Sequence, residues 1–333
     1  MAMILVTGGA GYIGSHIALA LLDRGERVLV LDNLSTGNRW LVPPEALFVE
    51  GDCADTTLVA ALVAEHGIAA VIHCAGVISV PESVEQPLAY YDINVGRAIA
   101  LFGAAMAGGA RHLLFSSTAT VYGAPDAEQL SEDLPLAPVN PYAASKAMVE
   151  RVLGDVAATG AVNVGVLRYF NVAGADPAGR SGQVSKSATH LIKIAAEVVV
   201  GKRDHVLVTG NDFDTPDGTG IRDYIHIADL AAAHLATLDA LVANRSESLT
   251  FNVGYGHGAS VLDVLDAVDR VSGRTLHRVA TGRRPGDVAR LVADTRKIRS
   301  RLGWQPAFDD LDRIVADAIA WERALAARLT AVA

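Results

Sequence analysis

The sequence has few cysteines, little positive charge and no long apolar run. Its 333 residues include two cysteines, Cys53 and Cys74, each after an apolar, strand-like run. Two such thiols are expected to be buried and reduced, which excludes a disulfide framework and fits the cytoplasm. No stretch reaches the ~18 uninterrupted apolar residues of a membrane span, and the N-terminus lacks the charged region of a signal peptide. We therefore expect a cytoplasmic protein with no membrane partner.

The charge balance excludes another class of partner. The formal net charge is −9, so there is no broad basic surface to hold the phosphates of a nucleic acid. An anionic ligand would need single arginines or helix N-termini. Hydrophobic residues make up 51% and charged residues 20% of the chain, which is typical of a globular protein with a sizeable core. No metal site is predicted.

Apolar runs alternate with helical patterns along most of the chain. The predicted strands of the first part are ILVTG, RVLVLDN, LFVEGD, AAVIHCAG, HLLFSST and NVGVLRYFN. Strands that are almost continuously apolar, separated by helices, indicate a parallel sheet covered on both faces. We predict an α/β fold: a Rossmann-type, doubly wound parallel sheet in an NAD-binding domain of residues 1–170, rejoined by about 223–253. Residues 171–222 and 254–333 are predicted to form a smaller α/β substrate-binding lobe.

A glycine-rich turn follows the first predicted strand. In TGGAGYIG, the residues Gly8, Gly11 and Gly14 are spaced by three before a helix, which lets backbone N–H groups and the helix N-terminus approach a pyrophosphate. Asp32 ends the second strand 18 residues after Gly14, where a carboxylate binds both ribose hydroxyls and repels a 2′-phosphate. The predicted cofactor is therefore NAD. Asp52 ends the third strand and either binds the adenine amine or is an ordinary polar strand-end residue.

Tyr142 and Lys146 lie one helical turn apart in PYAASK. By itself this spacing is more typical of an amphipathic helix whose lysine reaches solvent. Beside NAD, however, an ammonium group and a positive nicotinamide ring favour the phenolate, and lowering the tyrosine pKa from about 10 to 7 requires ~4 kcal/mol of differential interaction. Tyr142 is thus predicted to be a base that removes an alcohol proton. Thr118, at the end of the fifth strand, is predicted to hold the substrate oxygen, although polar residues at a strand end are common.

Together these motifs resemble the extended short-chain dehydrogenase/reductase family. The resemblance covers the chain from about Met3 to Trp304 and includes LRYFNVAGADP, GNDFDTPDGTGIRDYIHIADL and LGWQP. It implies a UDP-sugar substrate that is transiently oxidised at C4 by bound NAD, giving a 4-keto sugar, so that UDP-glucose and UDP-galactose are interconverted. Relatives that dehydrate or decarboxylate their substrate have acids where this chain has Ala119 and Thr120, which favours epimerisation.

The resemblance also implies the contact residues. For the cofactor they are Gly8, Gly11, Tyr12, Ile13, Gly14, Asp32, Asn33, Asp52, Cys53, Cys74, Ala75, Gly76, Asn94, Ser116, Tyr142, Lys146 and Tyr169. For the substrate they are Thr118, Tyr142, Asn171, His190, Arg222, Tyr224, Arg284, Asp287 and Leu291. Arg222 and Arg284 suit a diphosphate, and a surface salt bridge is the lesser alternative for each. His190 replaces an asparagine of some members, and a helix-surface histidine is an equal interpretation.

Several alternatives stay open at this point. Leu291 lies where a bulky tyrosine tends to exclude N-acetylated sugars and a small residue to admit them, so UDP-N-acetylhexosamines or UDP-pentoses are alternative substrates. A non-catalytic NAD-sensing protein and a dehydrogenase that releases NADH are further possibilities. The family commonly forms homodimers through two long helices of each subunit. The segments Leu88–Gly108 and Tyr142–Gly160 are apolar enough for this role, but they could also face the core.

Overall fold

The structure, a computed structural model, describes residues 3–185, 188–243, 248–284 and 286–332. Its strands are β1 Met3–Thr7, β2 Arg27–Asp32, β3 Leu47–Glu50, β4 Ile68–His73, β5 His112–Thr118, β6 Asn163–Tyr169, β7 Asn171–Ala173, β8 Val206–Thr209, β9 Ile221–Arg222, β10 Tyr224–His226, β11 Ser248–Val253, β12 Ala259–Ser260, β13 Arg278–Thr281 and β14 Arg290–Leu291. Its helices are α1 Tyr12–Asp23, α2 Thr56–His66, α3 Val80–Glu85, α4 Pro87–Tyr91, α5 Arg97–Gly108, α6 Pro141–Ala158, α7 Leu191–Val199, α8 Ile227–Ala243, α9 Val261–Ser272, α10 Arg296–Leu302 and α11 Leu311–Val332.

A seven-stranded parallel sheet forms the centre, in the order β11-β6-β5-β4-β1-β2-β3. All five residues of β1 are buried, as its uninterrupted apolar sequence predicts for a strand covered on both faces. The strand order reverses at β1, which lies between β2 and β4, and ligands of such sheets bind outside the carboxyl ends of the strands at this point. The predicted fold class is confirmed.

Helices cover both faces of the sheet. On one face, α2, α5 and α6 contribute residues such as Leu62, Leu101 and Val149 to a core shared with β1 and β5. On the other face, α1 and α8 pack together, and the apolar cluster continues without interruption through α7, α9 and α11. The strand of this sheet that comes latest in the chain, β11, pairs with β6 at the edge, so the chain returns to the central sheet after residue 223. The division into two lobes stays a prediction.

Short strands beyond β6 form three small sheets. In the first, β7 pairs with β10; in the second, β9 lies between β12 and β14; and in the third, β8 pairs with β13. The parallel pairing of β9 with β14 places Leu291 opposite Arg222. These pairings bring together sequence segments that were predicted separately to contact the substrate.

One predicted helix differs in detail from the structure. The segment Leu88–Gly108 is continuous helix in the prediction, but a π-helical turn at Asp92–Gly96 separates α4 from α5. The wider turn directs the buried side chain of Asn94 towards the loop after β4, where it accepts from the Val77 N–H and donates to the Val77 carbonyl. Such π-helical turns inside α-helices are frequent at functional sites.

Candidate active site

Thr118, Tyr142 and Lys146 come together at the carboxyl edge of the sheet. Thr118 is the last residue of β5, whereas Tyr142 and Lys146 occupy the first two turns of α6. The helix begins there because Pro141 fits its first turn and the Asn140 side chain accepts a hydrogen bond from the Ala143 N–H at 2.9 Å. All three site residues are buried, and the Thr118 side chain forms a hydrogen bond with Tyr142.

The Lys146 ammonium is held by the strand beneath it. Its Nζ donates to the Ser116 carbonyl at 3.1 Å and lies 4.8 Å from the centre of the Phe115 ring. Burial lowers the pKa of Lys146 from 10.5 to about 8, and only weaker interactions with Cys74 and Glu150 oppose this change. Lys146 is therefore a buried cation whose position is fixed by β5.

The protein by itself does not lower the pKa of Tyr142. Burial raises the pKa of Tyr142 to about 12, and the hydrogen bond with Thr118 opposes this rise. The physical reason is that the protein interior disfavours the phenolate, while the Lys146 ammonium is engaged by the Ser116 carbonyl and the Phe115 ring. The lowering of the Tyr142 pKa by Lys146 together with the nicotinamide ring stays a prediction.

The glycine turn between β1 and α1 is shaped for close approach. Gly8 has φ +71°, and a Cβ there would lie 2.6 Å from the Ala75 nitrogen; a Cβ on Gly14 would clash with the Gly8 carbonyl. Gly11 is different, since the nearest atom to its Cβ position is the Gly8 oxygen at 3.2 Å. Gly8 and Gly14 therefore serve the packing of strand and helix, and Gly11 leaves space at the helix N-terminus where a pyrophosphate fits.

Asp32, the last residue of β2, is hydrogen-bonded to the glycine turn. Its carboxylate is buried and accepts from the Ala10 N–H at 3.0 Å and the Leu34 N–H at 2.8 Å. The next residue, Asn33, accepts from the Ser35 N–H. A carboxylate fixed at the end of β2 matches ribose hydroxyls and rejects a 2′-phosphate, so these residues fit NAD.

Asp52 has a partner that the sequence did not indicate. Arg97, the first residue of α5, donates to its carboxylate at 2.5 Å, and the Ala54 N–H donates to the other oxygen.

The two cysteines were predicted to be buried but are only partly buried, because both lie just beyond strand ends. Neither forms a disulfide, and burial raises the pKa of each thiol to about 11. Cys53 follows Asp52, and Cys74 follows β4.

The loop after β4 contains three more predicted cofactor residues, Cys74, Ala75 and Gly76. Gly76 has φ +151°, and a Cβ there would lie 2.7 Å from the Asn94 amide oxygen. Asn94 also donates to the Ser145 hydroxyl at 3.0 Å, so it connects this loop to α6. The structure thus gives Asn94 a role in fixing the loop.

Tyr12 and Ile13, the first residues of α1, are partly buried against the main core. The Tyr12 hydroxyl donates to the Gly174 carbonyl at 2.7 Å. This bond fixes α1 to the segment after β7, next to the residues predicted to bind the substrate.

Asn171, His190 and Tyr224 line one cavity, together with Gln183 and Trp321. Asn171 lies opposite Tyr224 in the β7–β10 pair. His190 is partly buried at the N-terminus of α7, where its Nδ1 lies 2.8 Å from the Gln183 amide nitrogen. Burial lowers the pKa of His190 and raises that of Tyr224 to about 12, so both side chains are neutral near pH 7.

Arg222 lies near Tyr224, one of the residues that line this cavity. It is close enough to Tyr224 and Asp287 for both to oppose the lowering of its pKa by burial. Leu291 is partly buried opposite Arg222, whereas Arg284 and Asp287 are exposed and joined by a backbone hydrogen bond of 3.2 Å. The structure therefore places Asp287 and Leu291 near Arg222, and the backbone bond places Arg284 next to Asp287.

A buried ionic network lies under β5 and was missed by sequence reasoning. Glu150, one turn after Lys146, accepts from Arg168 of β6 at 2.6 Å and from the Ser117 hydroxyl. Arg168 also donates to the Tyr122 hydroxyl at 2.9 Å. A charged residue inside the apolar strand NVGVLRYFN was the available signal, since a buried arginine requires a carboxylate partner.

The comparisons with known proteins agree with this geometry. The model of the NAD dependent epimerase/dehydratase family matches residues 4–254, and the chain belongs to this family. The family resemblance noted in the sequence, the predicted enzyme class and NAD as the cofactor are thereby confirmed.

Individual relatives are similar over nearly their whole length. The chain is 49% identical over 322 residues to a UDP-glucose 4-epimerase of Azospirillum brasilense, covering 97% of this chain and 92% of that protein. It is 42% identical over 320 residues to the UDP-glucose 4-epimerase of Streptococcus mutans, covering 96% of each. Among solved structures, the UDP-glucose 4-epimerase of Stenotrophomonas maltophila, with bound NAD and formylated UDP-arabinopyranose, is similar with a TM-score of 0.95 at 37% identity, covering 98% of this chain and 100% of that one.

Two negative findings complete the site. None of the helices in the described ranges is both long and apolar enough to cross a membrane. Among the same residues, no group of three or more His, Cys, Asp or Glu side chains is arranged to hold a metal ion.

Proposed function

We propose that the chain interconverts UDP-glucose and UDP-galactose by inverting the configuration at C4 of the sugar. The observation that carries this proposal is the buried group Thr118, Tyr142 and Lys146 at the carboxyl edge of the sheet, beside the glycine turn. The names of relatives at 41–49% identity support it.

Gly11, Asp32 and Lys146 would hold the cofactor, with Asn33, Asp52 and Tyr169 nearby. When bound, NAD supplies a reversible two-electron acceptor for C4 and a positive ring that favours the Tyr142 phenolate. The phenolate removes the proton of the C4 hydroxyl and returns it after the sugar has presented its opposite face. Thr118 holds the C4 oxygen, and the Lys146 ammonium stabilises negative charge on the tyrosine.

The substrate must be held firmly at its nucleotide and loosely at its sugar. The reason is that the 4-keto sugar has to rotate and present its opposite face after C4 is oxidised and before it is reduced again. Arg222 and Arg284 bind the diphosphate, and Asp287 accepts from the ribose hydroxyls. Asn171, His190 and Tyr224 enclose the nucleotide in the cavity that they line. Leu291 lies beside the sugar.

A second candidate substrate class is the UDP-N-acetylhexosamines. Leu291 is the specific observation in its favour, since leucine leaves more space beside the sugar than a tyrosine would. A relative named the UDP-Glc/GlcNAc 4-epimerase of Campylobacter jejuni is 44% identical, with a TM-score of 0.85. UDP-pentoses rank next.

Conversion assays test the proposal. The purified protein is incubated with UDP-glucose and, separately, UDP-N-acetylglucosamine without added NAD, and products are resolved by chromatography, with Tyr142→Phe as the control. We expect UDP-galactose from the wild type and almost none from the variant. No turnover of either sugar, even with NAD supplied, contradicts the substrate assignment. Accumulation of free NADH would instead indicate a dehydrogenase, and a Tyr142→Phe variant with unchanged biological activity would indicate an NAD sensor.

We also propose a homodimer in the cytoplasm. Leu88, Ile99 and Met148, on α4, α5 and α6, are 83%, 47% and 46% exposed, which suits an apolar contact with a second copy. Light scattering of the wild type and of Ile99→Glu tests this, and a monomeric wild type contradicts it.

The proposed cytoplasmic location rests on Cys53 and Cys74, which form no disulfide and suit a reducing compartment. Cell fractionation tests the location.

A further inference from the structure

The end of β5 is hydrogen-bonded on both faces. Successive residues of a strand point to opposite sides. The Ser116 hydroxyl accordingly lies 3.1 Å from Nε2 of His234 on α8, whereas the Ser117 hydroxyl donates to Glu150 on α6. Both partners come from helices that cover opposite faces of the sheet. The strand that ends in Thr118 is therefore fixed from two sides.

The geometry determines which groups donate. Nδ1 of His234 lies 2.9 Å from the Leu230 carbonyl oxygen, and a carbonyl only accepts, so Nδ1 carries the ring hydrogen. Burial lowers the pKa of His234 to about 4, which keeps the ring neutral and Nε2 bare. Ser116 must then donate its hydroxyl hydrogen to Nε2, and its oxygen is left to accept.

Ser116 connects several groups of the site. Its oxygen lies 3.3 Å from the Cys74 sulfur and forms a hydrogen bond with Tyr169, which lies beside Tyr142. Its backbone carbonyl accepts from the Lys146 ammonium. A shift of Ser116 would therefore move the lysine and the tyrosine pair together.

We propose that His234 is a positioning residue for the chemistry at C4, acting through Ser116. It takes the hydroxyl hydrogen of Ser116 and so fixes the orientation of Ser116, Tyr169 and the Lys146 ammonium around the reacting carbon. This inference rests on the proposed epimerase function, and His234 itself does not contact substrate or cofactor.

Two amide variants separate the roles of the ring nitrogens. In His234→Gln the longer side chain places an amide oxygen where Nε2 lies, so it can accept from Ser116. In His234→Asn the shorter amide can donate to the Leu230 carbonyl but does not reach Ser116. Because a buried hydrogen bond with its partner left unsatisfied changes rates by about 10-fold, we expect kcat to fall by about this factor in His234→Asn, with KM for UDP-glucose nearly unchanged. The Gln variant should keep most of the wild-type kcat.

A matched control lies on the same helix. Thr237 is fully buried and its hydroxyl donates to the Ala233 carbonyl at 2.8 Å. Thr237→Val removes a buried polar group of α8 of similar size without touching Ser116, and its kcat should equal that of the wild type. Thermal unfolding of all three variants shows whether a loss of rate follows a loss of stability.

Ser116→Ala, alone and combined with His234→Asn, tests the route. If His234 acts through Ser116, the double variant should be no slower than Ser116→Ala. Equal kcat values for the Gln and Asn variants would overturn the proposal, and so would a double variant whose loss of kcat is the product of the losses of the two single variants.

A wild-type protein that does not turn over UDP-sugars refutes the proposed function instead. In that case the wild type, His234→Gln, His234→Asn and Thr237→Val are compared by the modification rate of the Cys74 thiol, which should rise in the Asn variant and not in the Gln variant if the network is as described.

Discussion

The Lys146 ammonium donates to the Ser116 carbonyl, two residues before β5 ends at Thr118. The bond connects the helix that carries the predicted base to the strand that carries the predicted substrate hydroxyl. It also keeps a positive charge in the interior, where burial lowers the pKa of Lys146 from 10.5 to about 8. This buried charge is expected to weaken the fold, whereas the proposed mechanism requires it.

Replacing Lys146 by methionine should raise stability and abolish turnover. The lowered pKa corresponds to about 3 kcal/mol of unfavourable charge burial, and the lost hydrogen bond to Ser116 offsets about 1 kcal/mol of the gain. We expect the free energy of unfolding at pH 7 to increase by the difference between the cost of charge burial and the value of the hydrogen bond. Urea denaturation gives that value, and a less stable variant would contradict the expectation.

The gain from Lys146→Met should depend on pH. Between pH 8 and 10.5 the unfolded chain binds the lysine proton more tightly than the folded protein, so the stability of the wild type rises with pH across this window. The advantage of the variant is therefore full below pH 8 and falls as the pH approaches 10.5. Denaturation curves at pH 7 and pH 10 measure it; an identical difference at both would show that charge burial is not the cause.

Thr118→Val should slow the reaction far more than Thr118→Ser. Valine has the same shape but removes the hydroxyl that bonds Tyr142 and accepts from the Thr120 N–H at 3.2 Å. We expect a fall in kcat of about 100-fold for valine and a small change for serine. Initial rates of UDP-galactose formation provide the measurement, with circular dichroism to verify folding. Equal rates for the two variants would exclude Thr118 from the reaction.

Gly11→Ala should weaken NAD binding while leaving the fold intact. Gly11 precedes α1 with φ −89°, which alanine adopts readily, and its Cβ would meet only the Gly8 oxygen, at 3.2 Å. That methyl group occupies the space assigned to the pyrophosphate, and we expect at least about a 10-fold loss of affinity, or 1.4 kcal/mol. Calorimetric titration with NAD measures it.

Gly154→Ala is the matched control for this change. Gly154 lies in α6 with no atom within 4 Å of its Cβ position, so alanine should stabilise the helix by about 0.5–1 kcal/mol without affecting NAD. If Gly11→Ala binds NAD with the affinity of the wild type, the glycine turn is not part of the cofactor site.

Leu291→Tyr should narrow the sugar specificity. Leu291 is partly buried opposite Arg222, and a larger ring there fills space that an N-acetyl group needs. We expect the ratio of kcat/KM for UDP-N-acetylglucosamine to that for UDP-glucose to fall by about 10-fold or more. Competition assays with both sugars measure this ratio, with Leu291→Ala as the opposite change. If this ratio is the same in the wild type and both variants, the sugar does not bind beside Leu291.

The sequence predicted what depends on local patterns. Apolar strands, the glycine turn and the spacing of Tyr142 and Lys146 all have periodic or short-range signatures, and the structure arranges them in the predicted fold. The contacts of Arg97 with Asp52 and of His234 with Ser116 join residues far apart in the chain. No spacing rule indicates such pairs, since they depend on how helices pack across the sheet.

The Tyr142 pKa illustrates the same limit for energetics. The sequence places Lys146 one helical turn from Tyr142, but the burial that raises the pKa of Tyr142 to about 12 and the direction of the Lys146 ammonium both depend on tertiary structure. The π-helical turn at Asp92–Gly96 is a similar case, because the bonds of Asn94 to the loop after β4 are long-range.

The shared apolar cluster limits how this protein can be divided. Ile4 of β1, Phe251 of β11 and Ile319 of α11 belong to one core. A gene fragment ending at Phe170 would lose β11 and α8, leaving β6 as a bare edge and one face of the sheet without its cover. We expect such a fragment to aggregate rather than fold, and we expect that the residues after 170 cannot be exchanged between relatives as an independent unit.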